Sequence, residues 1–148
     1  MKFLTSLALV VPLTLGTMAL SHAEETNPII KARMEAMKTI GGNTKVLGDM
    51  AKGETPFDAE KAQAAAATIS QTAAEVPALF EAEETSATSE ALPAIWQNYA
   101  GFSEKADALR VAAENAASQI TSPETLGPAL GAIGGTCKAC HKDYRAQK

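Results

Sequence analysis

Cysteine and histidine are scarce in this 148-residue chain, which holds two of each. A structural zinc site needs four protein ligands, and beyond the N-terminal segment the chain offers only Cys137, Cys140 and His141, so that site is excluded. The second histidine, His22, lies in that N-terminal segment. The paired groups of histidine-based acid–base catalysis and of a peroxidase are therefore missing, and the chain does not read as an enzyme. With one Trp, two Tyr and four Phe, the core must be filled by Ala, Leu, Ile and Met. No segment alternates β-branched and polar residues at period two, which argues against a sheet. Basic side chains are outnumbered, 13 against 17 acidic ones, and the formal net charge of −4 excludes nucleic acid as the expected partner. No glycine-rich loop follows a strand signal, so there is no phosphate cradle.

What is present begins with a leader. The run MKFLTSLALVVPLTLGTMALSHA carries one lysine, an apolar stretch and Ser21-x-Ala23 ahead of Glu24 and Glu25. This is the pattern of a secretory signal peptide over residues 1–23, cleaved after Ala23. Its apolar part is short for a membrane span of ~20 residues. The expectation is an exported, periplasmic protein with no membrane span in its mature form. Residues 24–148 have the size of a single domain.

Four amphipathic helices follow. The first is expected from Asn27-Pro28 to Gly53, with Gly41-Gly42 in its middle as a sign that something approaches the backbone closely. Asp58 caps the second, whose apolar positions Ala66, Ile69, Ala73, Val76 and Phe80 alternate steps of three and four, and which Pro77 should bend or end. The acidic segment EAEETSATSE reads as a surface connection. A third helix, with Pro93 early in it, keeps the rhythm from Ile95 through Tyr99, Phe102, Ala106, Leu109, Ala113 and Ala116 to Ile120. The fourth starts around TSPETLGP, where Thr121 and Glu124 suit a capping box, and it runs nearly to the C-terminus. Short loops between amphipathic helices point to an all-α, antiparallel four-helix bundle.

The motif in GGTCKACHKDYR places Cys137, Cys140 and His141 at i, i+3 and i+4, on one helix face. Two thiols and one imidazole then meet a flat group side by side. The thiols can add to the two vinyl groups of a haem, and the imidazole can ligate the iron; this spacing is the attachment signature of haem c. A redox dithiol is the competing reading, but the strand-to-helix setting of a thioredoxin-like motif is missing. A disulfide between the two would close too short a loop to stabilise much.

With that motif followed only by KDYRAQK, the chain resembles the cytochrome c′ family, the class II c-type cytochromes, including low-spin relatives in which a methionine completes the iron coordination. The resemblance rests on Arg33 and Met37 with IGG behind them, on KGETPFDAE, PAIWQNYAGF and LGAIGGTCKACHKDYR. It implies an up-down-up-down bundle with one covalently bound haem c and His141 as the proximal ligand. The residue four positions after the early helix-1 arginine, here Met37, would face the distal side, with Arg33 and Met34 near it and Arg145 near the proximal histidine. A thioether sulfur is a good soft ligand, and His/Met coordination suits outer-sphere electron transfer. Two other arrangements stay open: Met34 as the sixth ligand, or a methionine that merely fills space, leaving an apolar site for nitric oxide or carbon monoxide. The partners implied are periplasmic redox proteins or small gases, and both a monomer and a homodimer paired through helices 1 and 2 occur in the family. Lys138, Lys142, Arg145 and Lys148 add positive charge to the last turns, which suits the helix dipole.

Overall fold

Asn27 opens the first helix: its side-chain oxygen accepts from the amides of Ile29 and Ile30, and Pro28 occupies the first turn, where no N–H is needed. The computed structural model describes residues 25–147, so the expected signal peptide lies outside the described residues. Within them run α1 (Pro28–Ala51), α2 (Ala59–Leu79), α3 (Ala94–Gln97), α4 (Tyr99–Gln119) and α5 (Pro123–Tyr144). The four long helices form an antiparallel up-down-up-down bundle, and α3 is a single turn leading into α4. No described helix is long and apolar enough to cross a membrane.

Helix α1 passes unbroken through Gly41 and Gly42, and Gly53, at φ 74°, supplies the left-handed residue that turns the chain towards α2. Asp58 accepts from the Lys61 amide, and Ala66, Ile69, Ala73, Val76 and Phe80 are all buried, as their spacing requires. Pro77 sits in the last turn of α2, which stops two residues later at Leu79.

The third expected helix is split. Asn98 adopts φ −140° and ψ 61°, and its side chain accepts from the Gly101 amide, so the residue serves as a cap and not as helix interior. A short polar side chain that bonds the backbone ahead of it favours this role, and it overrides the continuous apolar rhythm. The start of α5 also differs from expectation. The Thr125 hydroxyl, and not Glu124, accepts from the amides of Thr121 and Ser122, at 3.0 and 3.2 Å, with Ser122 as the cap residue. Pro123 then falls in the first turn, and α5 is regular through Pro128.

Packing is tightest between α2 and α4, then between α1 and α2 and between α4 and α5, and is much looser between α1 and α5. Wholly buried Ala62, Ala66 and Ala113 let α2 and α4 approach closely. Ile69, Ile120, Leu126 and Ile133 are fully buried among the larger side chains, each worth roughly 1.5–3 kcal/mol in removed apolar surface. Phe102 links the layers, with its ring 5.1 Å from that of Phe80 and edge-on to Tyr144 at 5.4 Å.

The connection over residues 80–93 is more than a solvated loop. Its carbonyls receive the Arg33 guanidinium, Asn27 donates to the Glu84 side chain, and Glu25 accepts from the hydroxyls of Ser86 and Thr88. Ala91 forms an antiparallel bridge with Arg145, in which Leu92 N donates to Tyr144 O at 3.0 Å and Ala146 N to Glu90 O at 2.9 Å. These ties bring the N-terminal half of α1 and the C-terminal end of α5 to the same end of the bundle.

Candidate functional site

On α5, Leu126, Ala129 and Ile133 hold the helix against the core, and the same face continues into Cys137 and Cys140, which are half-buried and packed on the core cluster. His141 follows, also half-buried. Burial pushes both thiols up, so they are held as neutral S–H groups. Burial, with Arg145 adding to it, lowers the His141 pKa, and the imidazole is therefore neutral near pH 7, the form that ligates a metal. Lys105 of α4 braces this turn, donating to Ala139 O at 3.2 Å and pairing with Asp143 at 3.0 Å.

Helix α1 leaves two methionines accessible. Met37 and Met34 are 37% and 47% exposed, while Ile30, Ala36 and Ile40 beside them are buried. Met37 lies one turn beyond Arg33, and His141 lies one turn before Arg145. Arg33 is tied to residues 79–84 and Arg145 to Glu90 and Ala91, so both arginines are anchored to the connection that follows α2 or to its start.

The remaining residues fall out differently. Arg33 is 3% exposed, and its guanidinium is engaged by the carbonyls of Leu79, Ala82 and Glu84. Arg145 is exposed and held by the Glu90 carboxylate. Lys138 and Lys142 are exposed on α5. Sequence reasoning missed Glu90 and Lys105; both reach α5 from distant parts of the chain, and neither has a local pattern that marks it. A Cβ at Gly41 or Gly42 would meet nothing within 4 Å, so the close approach expected there is not made by protein atoms, and the same space is open at Gly134 and Gly135.

These features allow a test of what the site can hold. Among the described residues no group of three or more His, Cys, Asp or Glu converges on a point where a bare metal ion would sit. Two neutral thiols and a neutral imidazole along one helix face, with accessible methionines on α1, match instead a flat apolar group with a central iron. Haem c fits this donor set: two vinyl-reactive thiols, a nitrogen ligand, and a soft sulfur on the other helix.

An all-α bundle with this site defines a monohaem c-type cytochrome. The comparisons agree. The family model described as Cytochrome C′ matches residues 28–145. The chain is 42% identical over 118 residues to a cytochrome c-556 of Agrobacterium tumefaciens (strain apple 185), covering 79% of this chain and 94% of the relative. The solved structure of cytochrome c′ from Rhodopseudomonas palustris superposes with a TM-score of 0.78 at 35% identity, covering 83% of this chain and 99% of that one. A structure of oxidised R. palustris cytochrome c556 follows at TM-score 0.76 and 29% identity, covering 82% and 98%. The chain belongs to the cytochrome c′ family. Its cofactor is one covalently bound haem c, for which the chain has two cysteines.

Proposed function

We propose that the protein is an electron-transfer cytochrome in which Cys137 and Cys140 hold the haem through thioethers, His141 is the proximal ligand and Met37 the sixth. The haem, when bound, supplies a one-electron couple. The chain's own residues do the rest. His141 presents a neutral nitrogen, since burial and the nearby Arg145 charge disfavour its protonated form. Met37 contributes a soft donor that favours the reduced metal and keeps the distal side closed to exogenous ligands. The observation that carries this reading is the donor set itself, an accessible Met37 thioether on α1 and Cys137, Cys140 and His141 along one face of α5, and the similarity to proteins named cytochrome c-556 supports it.

The same reading takes residues 1–23 as a signal peptide and residues 24–148 as one mature domain, exported to the periplasm, where other redox proteins give and take the electron. Two copies pairing through α1 and α2 would be compatible with it.

An optical spectrum tests the proposal. Sharp α and β bands on reduction and a weak far-red thioether-to-iron band on oxidation are expected, and the far-red band should vanish in Met37→Ala. A broad high-spin spectrum that shifts on adding carbon monoxide, unchanged by Met37→Ala, would replace this reading with an open site binding nitric oxide or carbon monoxide. Loss of the band in Met34→Ala alone would move the ligand one turn back.

A further inference from the structure

Arg33 is the one buried charged residue among the described residues, and electron transfer by itself does not explain it. A guanidinium out of water is tolerated only when its donors are satisfied. Here Nε donates to Leu79 O at 2.8 Å, Nη1 to Glu84 O at 2.8 Å and Nη2 to Ala82 O at 2.5 Å. The group lies over the Phe80 ring at 4.5 Å and near Trp96 at 5.5 Å. Trp96 Nε1 in turn donates to Phe80 O at 2.8 Å, closing the cage.

The contacts do not stop there. Phe80 packs against Phe102 with the rings tilted by 56°, and Phe102 meets Tyr144 edge-on. Arg33 stands one turn before Met37 on α1, and Tyr144 stands three residues after His141 on α5. A gap-free line of packed groups therefore joins the turn that precedes Met37 to the turn that follows His141, passing through the ends of α2 and α4.

We infer that Arg33, with the packed rings of Phe80, Phe102 and Tyr144, is a strut that sets the position of Met37 relative to His141, and that Arg33 is thereby a positioning residue for the sixth ligand. This rests on the reading of Met37 as that ligand. A sulfur–iron bond is short and directional, so a small displacement of α1 at this level is enough to break it. Three carbonyls, one from the end of α2 and two from the segment after it, gripped by one planar fork, resist such a displacement. A lysine keeps the charge but lacks the fork, so it cannot hold all three carbonyls in that geometry.

The test uses the haem-loaded protein, with wild type, Met37→Ala, Arg33→Lys and Phe80→Leu compared by far-red absorption, carbon monoxide affinity of the reduced form, thermal midpoint, and amide exchange across residues 34–41. Carbon monoxide binds only when the sixth position is free, so its apparent affinity scales with the ligand-off population. Arg33→Lys and Phe80→Leu should each weaken the far-red band, speed exchange over residues 34–41, and raise carbon monoxide affinity by about tenfold, towards the Met37→Ala value. A lower thermal midpoint with band and affinity unchanged from wild type would overturn the strut. Should Arg33→Lys not fold, Phe80→Leu decides alone. A wild type that lacks the band, or that Met37→Ala leaves unchanged, marks a failure of the ligand assignment itself, and the strut falls with it.

Discussion

Arg145 and Glu90 are 55 positions apart, yet the Arg145 Nε and Nη2 both lie 2.6 Å from one Glu90 carboxylate oxygen. The contact closes the end of the bundle that carries His141, and it sits beside the two backbone bonds of the Ala91–Arg145 bridge. The arginine side chain is 47% exposed, which screens the pair. Glu90→Gln should therefore cost at most about 1 kcal/mol in chemical denaturation, with the helical content unchanged, because the backbone bonds remain.

Covalent attachment makes a sharper prediction. Denatured wild-type protein, extracted with acidified solvent, should retain a mass equal to the mature chain plus one haem. Cys137→Ala combined with Cys140→Ala should release all of it, and each single variant should keep it through one thioether. A bare-peptide mass for the wild type would remove the haem site from this chain.

The break between α3 and α4 depends on one side chain. Asn98→Ala removes the acceptor for the Gly101 amide and should destabilise the protein by about 1 kcal/mol, the usual loss for such a cap. Asn98→Ser should restore most of it, since a hydroxyl can accept the same bond. Urea denaturation of the three proteins checks both outcomes.

Acid stability should report the N-terminal tie. Glu25 accepts from the Ser86 and Thr88 hydroxyls and from the Asn27 amide, and these bonds hold its pKa down at about 2, against 4.5 for a free side chain. The folded state thus binds fewer protons than the unfolded one between these values, so the contribution is complete above pH 4.5 and is lost as the pH falls towards 2. Glu25→Gln should lower the thermal midpoint at pH 7 and make no difference below pH 2. A constant difference across that range would contradict the assignment.

Much of the molecule is legible along the chain because the relevant interactions are local. The i, i+3, i+4 spacing of Cys137, Cys140 and His141 puts them on one helix face wherever that helix packs. The stripes of α2 and α4 are read the same way: that of α2 is buried throughout, and that of α4 is buried except at Tyr99 and Leu109, which are partly buried against the core. Local reading fails where two local preferences compete. At Asn98 a side-chain cap defeats an unbroken apolar rhythm, and at Thr125 a hydroxyl takes the place expected for Glu124.

What only the tertiary structure decided is set by contacts between segments far apart in sequence. Arg33 is expected beside the distal side of the haem by resemblance alone, and in the fold it becomes a buried grip on carbonyls 46 to 51 positions away. The polar stretch after α2 becomes an anchored strap, and Glu90 and Lys105 become supports for the motif helix. Periodicity carries information about which face of a helix is apolar, but not about which remote carbonyls a guanidinium will find or which distant side chains will brace the motif helix. Those depend on how the helices close into a bundle, where burial of a charge is tolerated only if the rest of the chain delivers its partners.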